Sequence, residues 1–123
     1  GEVHLTCIPF QENVQSIIQQ WDVGLRLEKS MMPWGRDILE LMAVGVPVVA
    51  LGNSEVIIQN GKTGVLVNSR EVCEIASAVQ NLLDNQPKRM AMSSSAREWI
   101  TKNAAVDNYR RNMLSIYQKV MML

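Results

Sequence analysis

The sequence predicts an α/β fold, a parallel sheet flanked by helices on both faces. Three observations lead there. Short apolar runs of strand character alternate with longer stretches whose apolar residues recur at helical spacing. Pro47-Val48-Val49-Ala50-Leu51 is apolar without alternation and rich in β-branched residues, as strands covered on both faces are. The strand-like runs are separated by helix-length connections, which parallel neighbours require and hairpins do not.

Val3-His4-Leu5-Thr6-Cys7-Ile8 reads as the first strand, at about 3–8. A helix at about 11–20 places Val14, Ile17 and Ile18 on one face and glutamines elsewhere. Residues 22–27 form a second, short strand. A loop with Ser30, Met31, Met32, Pro33 and Trp34 runs into Gly35, and a helix over 36–44 follows, with Ile38, Leu39 and Met42 as its apolar stripe. The 47–51 run is the third strand. Asn53 or Ser54 caps a short helix through Ile58, and Asn60-Gly61 and Thr63-Gly64 supply positive φ angles for a tight turn. Val65-Leu66-Val67 is the last strand. The helix over 68–84 carries the clearest signal, with Asn68 as N-cap, Glu71 at N3, and Val72, Ile75, Ala76, Val79, Leu82 and Leu83 at helical spacing. Asn85-Gln86-Pro87 ends it, and Pro87, tolerated in a first turn, opens a helix to about Lys102. A final helix covers about 106–121, with Tyr109, Met113, Ile116, Tyr117 and Val120 apolar. Four strands and six helices make a single domain over 1–123.

Composition excludes several function classes. At 123 residues, 47% hydrophobic and 20% charged, the chain is globular rather than a disordered tail. Twelve Lys plus Arg balance twelve Asp plus Glu, so the basic excess that a nucleic-acid partner demands is missing. No apolar run reaches the roughly 18 residues of a membrane span, and no secretory leader heads the sequence. Cys7 and Cys73 lie far apart without a Cys-x-x-Cys pair, which argues against a disulfide framework or zinc cage and for a reducing, cytoplasmic setting. The one histidine, His4, sits in an apolar run and reads as structural rather than catalytic. A strand this close to Gly1, with no initiator Met, suggests a piece of something longer, although a processed terminus gives the same start.

The chemistry-bearing stretch is residues 32–50. Motifs for dinucleotides, Walker-type phosphate loops, zinc peptidases and nucleophile elbows are all missing. What remains is a loop closing on Gly35, a helix, Gly45-Val46-Pro47, and a buried strand. A loop after a parallel strand lies at the carboxyl edge of the sheet, where open α/β folds bind ligands. The helix opening near Arg36 presents unpaired backbone N–H groups and a positive dipole end, an anion site that Gly35 lets a phosphate approach. Glu40, about one turn in, can accept hydrogen bonds from two neighbouring hydroxyls, as on a ribose. Each residue also has a plainer role. Glu40 can be a solvated or ion-paired helix residue, and Gly35 a simple turn glycine. Arg36, unfavourable at a helix start, can pair with Asp37 or Glu40 as readily as with a bound anion. Met31, Met32 and Trp34 serve as packing or as a sugar platform.

On these residues the chain resembles the C-terminal, donor-binding domain of GT-B fold glycosyltransferases, in particular the retaining family 4 (glycosyl transferases group 1). The family pattern is Glu-Gly-Phe-Gly, four residues, Glu-Ala-Met-Ala, then Gly-x-Pro-Val-Val-Ala. Here Trp34-Gly35 stands for Phe-Gly, Glu40 for the second glutamate, and Met42-Ala43 and Gly45-Val46-Pro47-Val48-Val49-Ala50 match closely. Glu55-Val56-Ile57-Ile58 and Asn60-Gly61-Lys62-Thr63-Gly64-Val65-Leu66-Val67 are similar to the family's Pro-Glu-Ile-Ile and Asp-Gly-x-Thr-Gly-Leu-Leu-Val. Ile17-Ile18-Gln19-Gln20-Trp21-Asp22-Val23 is similar to its helix-to-Ala-Asp-Val step, and Ala96-Arg97-Glu98 fits its tail.

The resemblance implies a Rossmann-like sheet, the distal part of a GT-B C-terminal domain. It implies a parent enzyme, a hexosyl-type glycosyltransferase, moving a sugar from a nucleotide-diphosphate donor to an acceptor in glycan or cell-envelope synthesis. Glu40 would grip the ribose hydroxyls, the amides of Gly35, Arg36 and Asp37 would meet the diphosphate, and Pro9 and Phe10 would lie near the base. No metal or other cofactor is implied, because the helix terminus and basic side chains stabilise the leaving charge. Met32 stands where the family's first glutamate faces the donor sugar, and a thioether cannot accept a hydroxyl proton there; Glu28 substitutes only if the loop folds back. Pro33 replaces the first glycine and stiffens the loop, and Gly35-Arg36 resembles members that carry a basic run instead. Ala105-Val106 replaces an aromatic Ser-Trp element. An N-terminal acceptor domain is implied outside the chain, so the isolated chain is expected to bind nucleotide weakly and catalyse nothing. Two other readings compete. One is a non-catalytic nucleotide-binding or assembly module, favoured by Met32. The other is membrane-surface association of the last helix through Arg110, Arg111 and Lys119, opposed by Asp107.

Overall fold

A computed structural model describes residues 3–104 and 106–122, leaving the side chains of 106–109 aside. Three parallel strands, β1 (Gly24–Arg26), β2 (Val48–Leu51) and β3 (Val65–Val67), lie in the order β1-β2-β3. Gly24 pairs with Val48 and Arg26 with Ala50, while Val49 pairs with Val65 and Leu51 with Val67. Five helices complete the described residues: α1 (Gln15–Ile18), α2 (Arg36–Val44), α3 (Val72–Leu83), α4 (Gln86–Asn103) and α5 (Val106–Met121).

Successive strand residues point to opposite faces, so β2 feeds two cores at once. Val48 and Ala50 join Ile18, Ile38, Leu41, Met42, Ile58 and Ala96 on one face. Val49 and Leu51 join Val67, Leu82 and Met92 on the other. All four residues of β2 are buried, as its uninterrupted apolar run requires. Ile38, Leu41 and Met42 recur at helical spacing and lay α2 on the first core, each fully buried side chain contributing about 1.5–3 kcal/mol. That packing fixes the direction in which the α2 N-terminus opens.

The predicted elements at 36–44, 47–51, 65–67 and 106–121 form within a residue of their expected bounds. Others differ. Residues 3–8 are not a strand: Val3 is 93% exposed and Leu5 91%, and the segment pairs with no strand among the described residues. A β-strand is stabilised by its neighbours, so strand propensity without a partner does not make one. His4 is accordingly exposed rather than a core residue. The helix expected over 11–20 contracts to α1, whose first turn is tied by Ser16 Oγ donating to the Asn13 carbonyl at 2.9 Å and which buries only Ile18. The expected helix over 54–58 is absent; Glu55 instead accepts from the Asn60 backbone N–H at 3.2 Å, and the β-branched Val56-Ile57-Ile58 run opposes a helix this short.

Of the two turn glycines, only Gly61 has a positive φ (83°). Gly64 is needed for space, since a Cβ there would come 2.8 Å from Ile58 Cγ2. The 68–84 helix starts at Val72 with Glu71 as N-cap, because Ser69 Oγ accepts from the Glu71 N–H at 3.0 Å and holds the preceding residues in a turn. Asn68 therefore caps nothing. Ala105 and the side chains of Val106, Asp107 and Tyr109 lie outside the description.

Candidate functional site

β1 ends at Arg26, and the chain crosses the carboxyl edge of the sheet through 27–35 before entering α2. Gly35 is the N-cap of α2, at φ 147° and ψ 167°, a region that L side chains rarely enter. No side chain caps the helix. The first-turn N–H groups, with the positive end of the helix dipole behind them, therefore open onto this edge.

Arg36 and Glu40, one turn apart on the outer face of α2, interact directly. Arg36 Nε donates to Glu40 Oε1 at 2.8 Å. The arginine side chain is 92% exposed and the carboxylate 28%. Of the partners left open for Arg36, the structure selects Glu40, as i,i+4 spacing favours. Both residues line an open cleft of about 590 Å³, whose opposite wall is Phe10, Gln11 and Glu12. The cleft is thus lined by the charged pair of α2, its carboxylate partly exposed, and by the exposed Phe10. Its second carboxylate oxygen leaves Glu40 able to accept further hydrogen bonds.

Asp37 turns the other way. Arg26, projecting from the end of β1, donates from Nη1 to Asp37 Oδ1 at 2.5 Å and from Nη2 to Glu28 Oε2 at 2.5 Å. The hydrogen bond to Asp37 raises the Arg26 guanidinium above its ordinary value; burial opposes it, and the charges of Asp37 and Glu28 reinforce it. Arg26 Nε is buried and has no partner.

The eight residues expected at a nucleotide-sugar site are thus distributed unevenly. Phe10, Arg36 and Glu40 meet in one cleft. Pro9 lines an adjoining apolar groove with Phe10, Val14, Ile17 and Trp21. Gly35 and Asp37 form the helix mouth, Asp37 lining a shallow cavity with Arg26 and Glu28. Met32 and Trp34 are exposed in the loop ahead of α2, outside the lining of the Glu40 cleft, and Pro33 between them is buried. Arg26, within the strand expected over 22–27, is a site residue that the sequence does not single out. A charge inside such a strand was the available signal. Among the described residues, no cluster of three His, Cys, Asp or Glu side chains could hold a metal ion, and no helix is long and apolar enough to cross a membrane.

Comparison with known proteins gives the family and the fold. The profile of the family "Glycosyl transferases group 1" matches residues 2–99. A GDP-mannose-dependent alpha-(1-6)-phosphatidylinositol monomannoside mannosyltransferase of Mycobacterium tuberculosis is 42% identical over 65 residues, covering 51% of this chain and 17% of the relative. A D-inositol 3-phosphate glycosyltransferase of Corynebacterium diphtheriae is 34% identical over 89 residues, covering 71% of this chain and 21% of the relative. The crystal structure of Anabaena HepE in complex with UDP-glucose superposes with a TM-score of 0.80 at 21% identity, covering 89% of this chain and 31% of that one. This likeness establishes the Rossmann-like α/β fold. The chain spans less than a third of the length of each of these three proteins.

Proposed function

The chain belongs to the glycosyl transferases group 1 family, and from that premise we propose that residues 1–123 are the nucleotide-sugar-binding part of the C-terminal domain of a GT-B sugar transferase. The parent enzyme transfers a hexosyl unit from a nucleotide-diphosphate donor to an acceptor in glycan or cell-envelope synthesis. The names of the mannosyltransferase and D-inositol 3-phosphate glycosyltransferase relatives, and the UDP-glucose in complex with the Anabaena protein, support this reading. The acceptor site belongs to an N-terminal domain outside the chain. The exposed, unpaired Cys7 and Cys73 fit a reducing cytoplasm.

One observation carries the proposal: the uncapped α2 mouth opens beside a cleft that joins Phe10, Arg36 and Glu40. In this reading the α2 amides from Gly35 to Asp37 receive the diphosphate, and the exposed Arg36 guanidinium swings onto it. Glu40 holds the ribose hydroxyls with its second oxygen, and Phe10, beside Pro9, stacks against the base. Met32 and Trp34 border the sugar. As the bond from the anomeric carbon to the diphosphate breaks, negative charge grows on the departing phosphate. Fixed N–H donors and Arg36 stabilise that charge with little reorganisation.

Titration of the full-length protein with UDP, GDP and ADP, repeated on Glu40→Ala, tests this. Its exposed pair with Arg36 contributes only about 0.3–0.5 kcal/mol, so the variant should fold. Affinity for the preferred nucleotide should fall about tenfold or more, equivalent to about 1.4 kcal/mol. Unchanged affinity for all three nucleotides disproves the ribose role. A second reading, a nucleotide-binding module without turnover, is favoured by the thioether of Met32 in the loop ahead of α2. Nucleotide binding without sugar transfer by the full-length protein selects it.

A further inference from the structure

A carboxylate on the first turn of a helix is a poor neighbour for a diphosphate, since both compete for the same amides and dipole. Asp37 is such a carboxylate. Its Oδ1 is held by Arg26 Nη1 at 2.5 Å, while Arg26 Nη2 holds Glu28 at the same distance. A Cβ built on Gly35 would come within 2.7 Å of both Arg26 Nη1 and Asp37 Oδ1, so this ion pair lies directly against the helix N-cap. The Arg26 side chain is only 21% exposed, and its Nε is buried with no acceptor, so the guanidinium spends both ends of its fork on carboxylates at the expense of its third donor.

We propose that Arg26 is a positioning residue for the diphosphate: it turns the Asp37 carboxylate aside, masks its charge, and so leaves the α2 amides open to an anion. The proposal rests on the nucleotide-sugar reading above. Without Arg26, Asp37 and Glu28 stand bare beside the helix mouth. Their repulsion acts on phosphate groups and hardly on an uncharged nucleoside. That difference separates positioning of the anion from general support of the fold.

The test uses the full-length protein, titrated with UDP, GDP and ADP and with the matching nucleosides, alongside thermal melts. Arg26→Gln should weaken the preferred nucleoside diphosphate by about tenfold or more while moving the nucleoside by less than about twofold. Adding Asp37→Asn to Arg26→Gln should restore diphosphate affinity to within about threefold of the wild type, because the carboxylate on the first turn of α2 is gone and Glu28, outside the helix, is all that remains of the repulsion. Arg26→Lys, which keeps the charge and loses the fork, should show a smaller loss, also relieved by Asp37→Asn; this pair decides the matter if Arg26→Gln does not fold. Parallel weakening of nucleoside and diphosphate, or no rescue by Asp37→Asn, overturns the proposal in favour of a purely structural Arg26. Wild-type binding with Arg26→Gln unchanged overturns it and spares the nucleotide reading. A wild type that binds none of the three diphosphates overturns both.

Discussion

Gly35 is the residue on which the α2 mouth turns. Its backbone, at φ 147°, sits where a side chain is strained, and any Cβ would strike the ends of Arg26 and Asp37. Gly35→Ala must therefore either rotate the N-cap or break the Arg26–Asp37 pair. We expect a loss of about 1–3 kcal/mol of stability in denaturant unfolding, with nucleoside diphosphate affinity falling in the same variant. An unchanged midpoint would mean that the loop relaxes around the new methyl. The residues of this mouth were legible in the sequence because their relation is local: Gly35 just before a helix start, and Arg36 and Glu40 one turn apart. Which partner Arg36 takes was not legible, since Asp37 and Glu40 are both near in sequence; it follows from Asp37 being drawn to Arg26, eleven residues back. Arg26 stands out in the sequence only as a charge within a strand, and its ion pair with the helix leaves no periodic trace.

At the scale of elements, those with internal instructions formed where the sequence predicts them. Helix α4 is the clearest case: the Asn85 side chain accepts from the Lys88 N–H at 3.1 Å, and Pro87 occupies the first turn, where its missing donor costs nothing. Asn85→Ala should lower stability by about 1 kcal/mol in chemical denaturation with no change in nucleotide affinity, because the cap lies at the α3–α4 junction rather than at the α2 mouth. A change in affinity would show that α4 transmits to the site. Apolar runs without such support do not form the elements they suggest. The 3–8 segment has strand composition but pairs with no strand among the described residues, and Val56-Ile57-Ile58 is apolar enough to suggest a helix yet too short and too branched to hold one. Helix α3 was identified correctly and begun four residues early, because Asn68 fits the capping pattern while Ser69 makes the hydrogen bond that bends the chain before Glu71.

In the molecule as a whole, β2 is the common member of both cores, and everything near the site is tied to it through one or two packing layers. Val48 and Ala50 carry the face that supports α2, and Val49 and Leu51 carry the face that supports α3 and Met92. Helix α5, by contrast, leaves Leu114, Ile116, Tyr117 and Val120 exposed, and residues 3–10 are exposed throughout. Stability must therefore be graded along the chain, since local opening is cheap where few apolar contacts are lost and costs the whole unfolding free energy where both cores must part. Native-state hydrogen exchange should find the β2 amides among the slowest, exchanging only through global unfolding, with α2 close behind, and α5 and 3–14 exchanging by local opening at far lower free energy. Nucleotide should slow the first turn of α2 and leave α5 unaffected, because the proposed diphosphate contacts lie at that mouth and none of the proposed contacts lies on α5. Protection of α5 equal to that of β2 would contradict the grading, since it would require the exposed face of α5 to be covered.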